Sequence, residues 1–294
     1  MKYDEQFVSA PDGRVIEVAT LGSPTGSTVF FHHGTPASMM LLKSLAPLAE
    51  RGDLFLVTMS RAGYGQSTRL EGRNVAAAVD DTRTVLDALG REEYAVVGWS
   101  GGGPHALACA TLDAPRCIAA WSLAGVAPMS ADIDWTEGMG PENLEEIALA
   151  KEGGPEYEAH MREAGELFST ATRENVIELF GGLVSEADKA SMAADDAREL
   201  MADAFRHAFV SGWRGFYDDD QAFMVDWGFD PTTISVPVAV WFGDEDLMVP
   251  TAHGQWLARS LPTATSHHYP DEGHMSLILN HFDELSDGIS QAFA

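Results

Sequence analysis

Hydrophobic and polar positions change period twice along this chain, and the changes divide it into three. Phe7-Val8 and Val15 to Leu21 are β-prone and are joined by the turn signal Pro11-Asp12-Gly13, which predicts an antiparallel hairpin. Apolar strands are then predicted at Thr28 to His33, Leu54 to Met59, Ala95 to Trp99 and Ile118 to Leu123, with helices at Met39 to Glu50 and Val75 to Leu89 between them. After Gly125-Val126-Ala127-Pro128 the pattern becomes Ala- and Glu-rich with a helical period. From Glu142 to Phe216 it is broken only at Gly153-Gly154-Pro155 and Gly181-Gly182, with no convincing strand. Alternation resumes with a strand at Val236 to Phe242, a helix from His253 to Leu261, a short strand around His267-His268-Tyr269 and a terminal helix. Strands alternating with helices imply βαβ units, so the expected fold class is α/β, a mostly parallel doubly wound sheet with an inserted all-helical segment.

The strand at Ala95 to Trp99 runs directly into Gly98-Trp99-Ser100-Gly101-Gly102, and an Ala-rich helical segment follows with no loop between. A serine between a strand and a helix sits on a very tight turn, where side chains at the flanking positions would collide with neighbouring backbone. Gly98 and Gly102 stand at those positions. Such a turn lifts the Ser100 hydroxyl above the sheet edge and aims the Gly101 N–H at the same small volume, giving a nucleophile and half an oxyanion hole. The second oxyanion donor is expected from Gly34-Thr35-Pro36, which ends an earlier strand; Thr35 follows the glycine and would donate its backbone N–H. On that reading Thr35→Ala is mild unless the hydroxyl helps.

A serine hydroxyl is a weak nucleophile until a base takes its proton, and the base needs an orienting carboxylate. Asp246, four residues before Pro250 in a loop after a buried strand, is the expected acid, with Asp244 and Glu245 as rivals in the same turn. His274, in the loop Gly273-His274-Met275-Ser276-Leu277, is the expected base. His32 and His33 precede the oxyanion loop, and three readings stand for them: a pocket wall, a support for that loop, or a satisfied structural histidine. Trp135, Phe180, Trp213, Phe216, Tyr217 and Met224 are candidates to line a substrate pocket, although the helical insertion must also bury its own core.

Charge narrows the partners. With 18 basic against 45 acidic side chains and a net charge of -27, the chain is not expected to bind nucleic acid or anionic lipid. The first residues lack a signal-peptide pattern and no apolar run approaches a membrane span, so a cytoplasmic location is expected, with Cys109 and Cys117 as buried free thiols. No zinc spacing, phosphate loop or dinucleotide fingerprint is present, and no cofactor is expected. The expected partner is a small-molecule substrate, with the chain a monomer or homodimer.

Taken together, H-H-G-T-P at 32–36, R-A-G-Y-G-Q-S at 61–67, G-W-S-G-G-G at 98–103, W-G-F-D at 227–230, G-D-E-D-L-M-V-P at 243–250 and G-H-M-S-L at 273–277 resemble the α/β-hydrolase superfamily in its landmarks and their order. The resemblance implies nucleophile Ser100, acid Asp246, base His274 and oxyanion donors Thr35 and Gly101. It also implies a hydrolase core in two parts, 1–126 and 231–294, with a helical cap at 127–230 over the triad. Dehalogenase and epoxide-hydrolase branches place an aspartate where Ser100 stands, so the implied chemistry is serine hydrolysis of small-molecule esters. Carbon–carbon bond hydrolysis or lyase chemistry with the same triad, and a small-molecule receptor on the same scaffold, are the alternatives.

Overall fold

In a computed structural model that describes residues 2–294, eight strands form one sheet: β1 (Lys2–Ser9), β2 (Val15–Gly22), β3 (Ser27–His32), β4 (Leu54–Met59), β5 (Tyr94–Trp99), β6 (Cys117–Leu123), β7 (Val238–Gly243) and β8 (Ala264–Tyr269). Their spatial order is β1-β2-β4-β3-β5-β6-β7-β8; β1 and β2 are an antiparallel hairpin, β2 is antiparallel to β4, and every later pair is parallel. Every residue of β4 and β5 is buried, as expected of strands covered on both faces, and these are the near-continuous Leu, Val and Phe runs of the sequence. The two edges differ from the buried centre: β1 is mostly exposed and carries Lys2, Asp4 and Glu5, and β8 has only exposed and half-buried positions.

The helices are α1 (Ala46–Gly52), α2 (Ala77–Ala88), α3 (Gly102–Leu112), α4 (Pro141–Glu152), α5 (Gly154–Phe168), α6 (Val176–Leu179), α7 (Glu186–Ser191), α8 (Asp195–Ala208), α9 (Arg214–Met224), α10 (Thr251–Ser260), α11 (Ser276–Leu279) and α12 (Phe282–Ala292). α3 follows the central strand β5 and is buried from Gly102 through Ala110; its small side chains let it pack closely on β5 and β6. The helix expected over 39–50 is two elements, a 3-10 helix at Met39–Leu45 and then α1. Pro47 is the physical reason, since its ring clashes with a carbonyl one turn earlier inside a helix but is tolerated in a first turn. The stretch between β6 and β7 holds α4 to α9 and no strand, as its helical period predicts, and α4 gives way to α5 at Gly153.

In the parallel part of the sheet His32 lies opposite Gly98, and Gly98 opposite Ser122. β3, β5 and β6 therefore end at one level, and the loops leaving their C-terminal ends meet there, where open α/β sheets place their ligands. The loop after β7 leaves the same edge, because β7 runs parallel to β6 with Trp241 opposite Leu123.

Candidate active site

Ser100 stands between β5 and α3 with φ +56°, a left-handed conformation that costs an ordinary residue on the order of 1–2 kcal/mol. The strand before it and the helix after it impose that turn. Two hydrogen bonds hold it: Ser100 N–H donates to Leu123 O at 2.8 Å and Gly103 N–H to Ser100 O at 2.8 Å. The glycine spacing has a direct steric cause, since a Cβ on Gly98 would lie 2.2 Å from Gly102 O and a Cβ on Gly102 would lie 2.0 Å from His32 O.

His274 Nδ1 is 2.8 Å from Asp246 Oδ2, and both side chains are buried. The other oxygen of Asp246 accepts from Met248 N–H and Val249 N–H, both at 2.8 Å, which fixes the carboxylate and turns it toward the imidazole. The rivals in that turn point elsewhere: Asp244 is exposed and pairs with His268 at 2.8 Å, and Glu245 is exposed. Burial alone would lower the pKa of His274, but the charge of Asp246, its hydrogen bond and the nearby charge of Asp188 outweigh it, so the ring titrates above its ordinary value. Trp99 ties this loop to the serine turn, donating from Nε1 to His274 O at 3.1 Å with the two rings 5.3 Å apart.

Asp188 is a residue of this site that sequence reasoning missed. It lies on α7 of the helical insertion, completes a capping box with Ser185, and its Oδ1 accepts from Met275 N–H at 2.7 Å and Ser276 N–H at 3.0 Å. Gly273 has to be small for the approach, because a Cβ there would lie 2.3 Å from Ser185 Oγ. The insertion thereby holds the loop that carries His274. An Asp in a capping box is ordinary in sequence, so nothing local marks this one.

Thr35 and Gly101 line the same cavity as Ser100, and neither backbone N–H donates a hydrogen bond among the described residues. The Thr35 hydroxyl is engaged, unlike in the reading that used only its backbone: it donates to Asp219 Oδ2 at 2.7 Å and accepts from Arg61 at 2.9 Å. Arg61 also donates to the carbonyls of His33 and Gly34 and pairs with Asp219 at 2.6 Å. Arg73 approaches the other oxygen of Asp219 at 2.6 Å. Burial alone would raise Asp219, yet Arg61, Arg73 and His105 around it hold its carboxyl well below the usual range. This ion cluster joins α9 of the insertion to the loop before Pro36. Arg61 belongs to the quoted R-A-G-Y-G-Q-S stretch, but its partner is 158 positions away.

His33 belongs to the same support. Its Nδ1–H donates to Gly34 O at 2.7 Å and its Nε2 accepts from Arg61 N–H at 3.2 Å, so the neutral ring holds the loop. Burial and then Arg61 push its pKa well down, and burial with the neighbouring cations does the same to His32. Neither ring is among the cavity walls. Cys109 and Cys117 are buried free thiols.

The cavity over Ser100 has a volume of about 350 Å³, and most of its walls are residues of the insertion. Of the aromatic and methionine candidates, Trp135, Phe180 and Phe216 line it. Trp213, Tyr217 and Met224 do not; they pack around Tyr157, Phe209 and Phe216 in a small core that the insertion builds with Tyr64 of the loop after β4. α9 is wide enough in apolar residues to serve both surfaces, and its sequence does not say which residue faces which. Among the described residues no group of three or more His, Cys, Asp or Glu side chains is arranged to hold a metal ion, and no helix is long and apolar enough to cross a membrane.

Residues 27–281 match the family described as alpha/beta hydrolase fold. The chain is 27% identical to a non-heme haloperoxidase of Rhodococcus erythropolis over 279 residues, covering 93% of this chain and 94% of that one. It is 25% identical to a bifunctional esterase/perhydrolase of Acinetobacter calcoaceticus over 250 residues, covering 83% of each. The crystal structure of an esterase from Rhodococcus sp. ECU1013 superposes with a TM-score of 0.71 at 20% identity, covering 98% of this chain and 99% of that one. The family match over most of the chain, the eight-stranded sheet and the strand-turn-helix around Ser100 lead to one conclusion: the protein belongs to the α/β-hydrolase fold family.

Proposed function

We propose that the protein is a serine hydrolase of small-molecule carboxylic esters. The observation that carries this reading is the buried Asp246–His274 pair in a loop tied to the strained turn that presents Ser100. In the proposed cycle Ser100 Oγ attacks the ester carbonyl while His274 takes its proton, and Asp246 holds the imidazole and stabilises its charged form. The backbone N–H groups of Thr35 and Gly101 receive the oxyanion. His274 then protonates the departing alcohol, water attacks the acyl-serine, and the acid leaves with Ser100 restored. The helices between β6 and β7 act as the cap over the triad, the role expected for 127–230, and choose the substrate through the walls they supply.

The test is intact mass after treatment with a fluorophosphonate. Wild type is expected to gain one adduct, mapping to Ser100, and both Ser100→Ala and His274→Ala proteins are expected to gain none or to react far more slowly. Folded wild-type protein that stays unmodified while its cavity admits a small ester would rule out an activated Ser100.

The pH dependence follows from the same pair. His274 acts as a base only when neutral, so turnover is lost as pH falls through its pKa. Because Asp246 and Asp188 raise that pKa above the ordinary 6.5, the acid limb of kcat/KM is expected to have its midpoint above about 6.5. Replacing Asp188 by Asn removes one of the raising charges and is expected to move the midpoint down. A rate that stays flat from pH 4 to 8 would exclude His274 as the base.

One observation favours a second reaction at the same centre: both sequence relatives bear peroxide-related names, haloperoxidase and perhydrolase. Hydrogen peroxide in place of water would attack the acyl-serine and release a peracid, with Ser100 restored in the same way. Peracid formation from an ester and hydrogen peroxide, lost in the Ser100→Ala protein, is the corresponding assay.

A further inference from the structure

Burying a carboxylate is costly unless a cation or several N–H groups compensate it, and this chain follows that rule almost everywhere. Among the buried acids, Asp81, Asp113, Asp218 and Asp219 face arginines, Glu17 and Asp246 face imidazoles, and Asp188 takes backbone N–H groups. Asp220 is the exception. It is 5% exposed, it accepts from Tyr157 Oη at 3.1 Å and shares a hydrogen bond with the carboxyl of Glu146, and no arginine or lysine pairs with it among the described residues. The charged group that acts on it most strongly is another acid of the cavity wall, the half-buried Glu146 of α4.

Both carboxyls line the cavity that holds Ser100, and no lysine or arginine lines it. Desolvation first, and then the mutual repulsion of the pair, pushes the Asp220 carboxyl up, and desolvation pushes up Glu146. Each carboxylate is thus disfavoured by burial and by its neighbour while no cation is present, and a cation entering the cavity favours their charged forms. The pair is also close to the reacting centre. Phe223 on α9 lies 3.1 Å from the point where a Cβ on Gly101 would stand, and Asp220 precedes Phe223 by one helical turn, about 5 Å. Phe216 and Phe223 of the same helix add π faces to the wall, which attract an organic cation as well as its alkyl groups.

We propose that the cavity takes esters carrying an alkylammonium group, whose cation is held by Asp220 and Glu146 while the ester carbonyl lies over Ser100. The proposal rests on the serine-hydrolase reading above for its chemistry, but the cation site stands on two cavity acids that no lysine or arginine compensates. An ammonium entering the cavity supplies the kind of cationic partner that Asp81, Asp113, Asp218 and Asp219 have in arginines.

The test uses two esters of nearly identical shape, 2-(dimethylamino)ethyl butanoate, protonated at neutral pH, and its uncharged counterpart 3-methylbutyl butanoate. The ratio of their kcat/KM values is measured for wild type, Asp220→Asn and Glu146→Gln. Wild type is expected to favour the charged ester, and each variant is expected to lower the ratio by about tenfold or more. Asp220→Asn keeps an acceptor for Tyr157; Glu146→Gln, at a half-buried position, gives an independent reading should the first variant fold poorly. A ratio that stays within twofold of wild type in the folded variants overturns the proposal. Calorimetric binding of the same two esters to the Ser100→Ala protein separates the two readings. Preference for the charged ester there, with no turnover of either ester by wild type, would keep the cation site and reject the hydrolase; equal binding, with turnover of both, would do the reverse.

Discussion

Replacing Ser100 by Ala is expected to lower turnover of an activated ester by at least about 10³-fold while leaving the fold intact. The size follows from the kind of group removed. On the proposed mechanism no acyl-serine forms without Oγ, and what would remain is the proposed donor pair and the cavity, which in enzymes with a Ser-His-Asp triad leave a small residual rate over water. The stability effect is small because the strained backbone is common to both proteins. Ser100 has φ +56°, and alanine meets the same left-handed cost as serine there, since both carry a Cβ. Thermal unfolding within a few degrees of wild type, together with the lost rate, is the expected pair of results. A folded Ser100→Ala protein that keeps a tenth of wild-type turnover would move the chemistry to another group.

The largest expected effect on stability belongs to Asp219→Ala. Asp219 is fully buried and pairs with both Arg61 and Arg73, which are buried themselves. Removing the carboxylate strands two guanidinium charges in the interior, and breaking a buried pair from one side costs about 3–5 kcal/mol. Total stabilities of domains are about 5–15 kcal/mol, so the variant is expected to unfold at markedly lower urea concentration, or to be recovered partly unfolded. Activity should fall with it, because the same carboxylate accepts from the Thr35 hydroxyl and Arg61 grips the carbonyls of His33 and Gly34. The acid sensitivity has a definite sign. The Asp219 pKa is lowered on folding, so its contribution is complete above the ordinary carboxylate range and is lost as pH falls through the folded value. A change below about 1 kcal/mol in urea unfolding would mean that solvent reaches the arginines and the cluster does not clamp the insertion.

Much of this molecule is local, and what is local was legible. The strands β4, β5 and β6 show as apolar runs because they are buried on both faces, and the insertion shows as helical because its apolar residues follow a period near 3.6. The serine turn is legible for a steric reason, since only glycine fits where a Cβ would meet Gly102 O or His32 O. Asp246 and His274 could be picked out as members of loops at one sheet edge, with Asp246 expected ahead of Asp244 and Glu245, and in the fold it is Asp246 whose carboxylate meets the imidazole of His274.

The run Asp218-Asp219-Asp220 marks where that legibility stops. In sequence, three consecutive acids on a helix read as a solvated face; in the fold all three are buried, and each meets a different environment. Asp218 meets Arg69, Asp219 meets Arg61 and Arg73, and Asp220 meets Tyr157 and the open cavity. The same holds for Asp188, whose capping box is local but whose bonds to the His274 loop are not. By itself the sequence determined the order of strands and helices, the helical character of the insertion and the turn at Ser100, because hydrophobic period and glycine sterics act over a few residues. Only the tertiary structure decided which acids are paired, what supports Thr35 and His274, and which aromatic residues face the cavity, because charge compensation and packing depend on partners that folding brings from tens to nearly two hundred residues away.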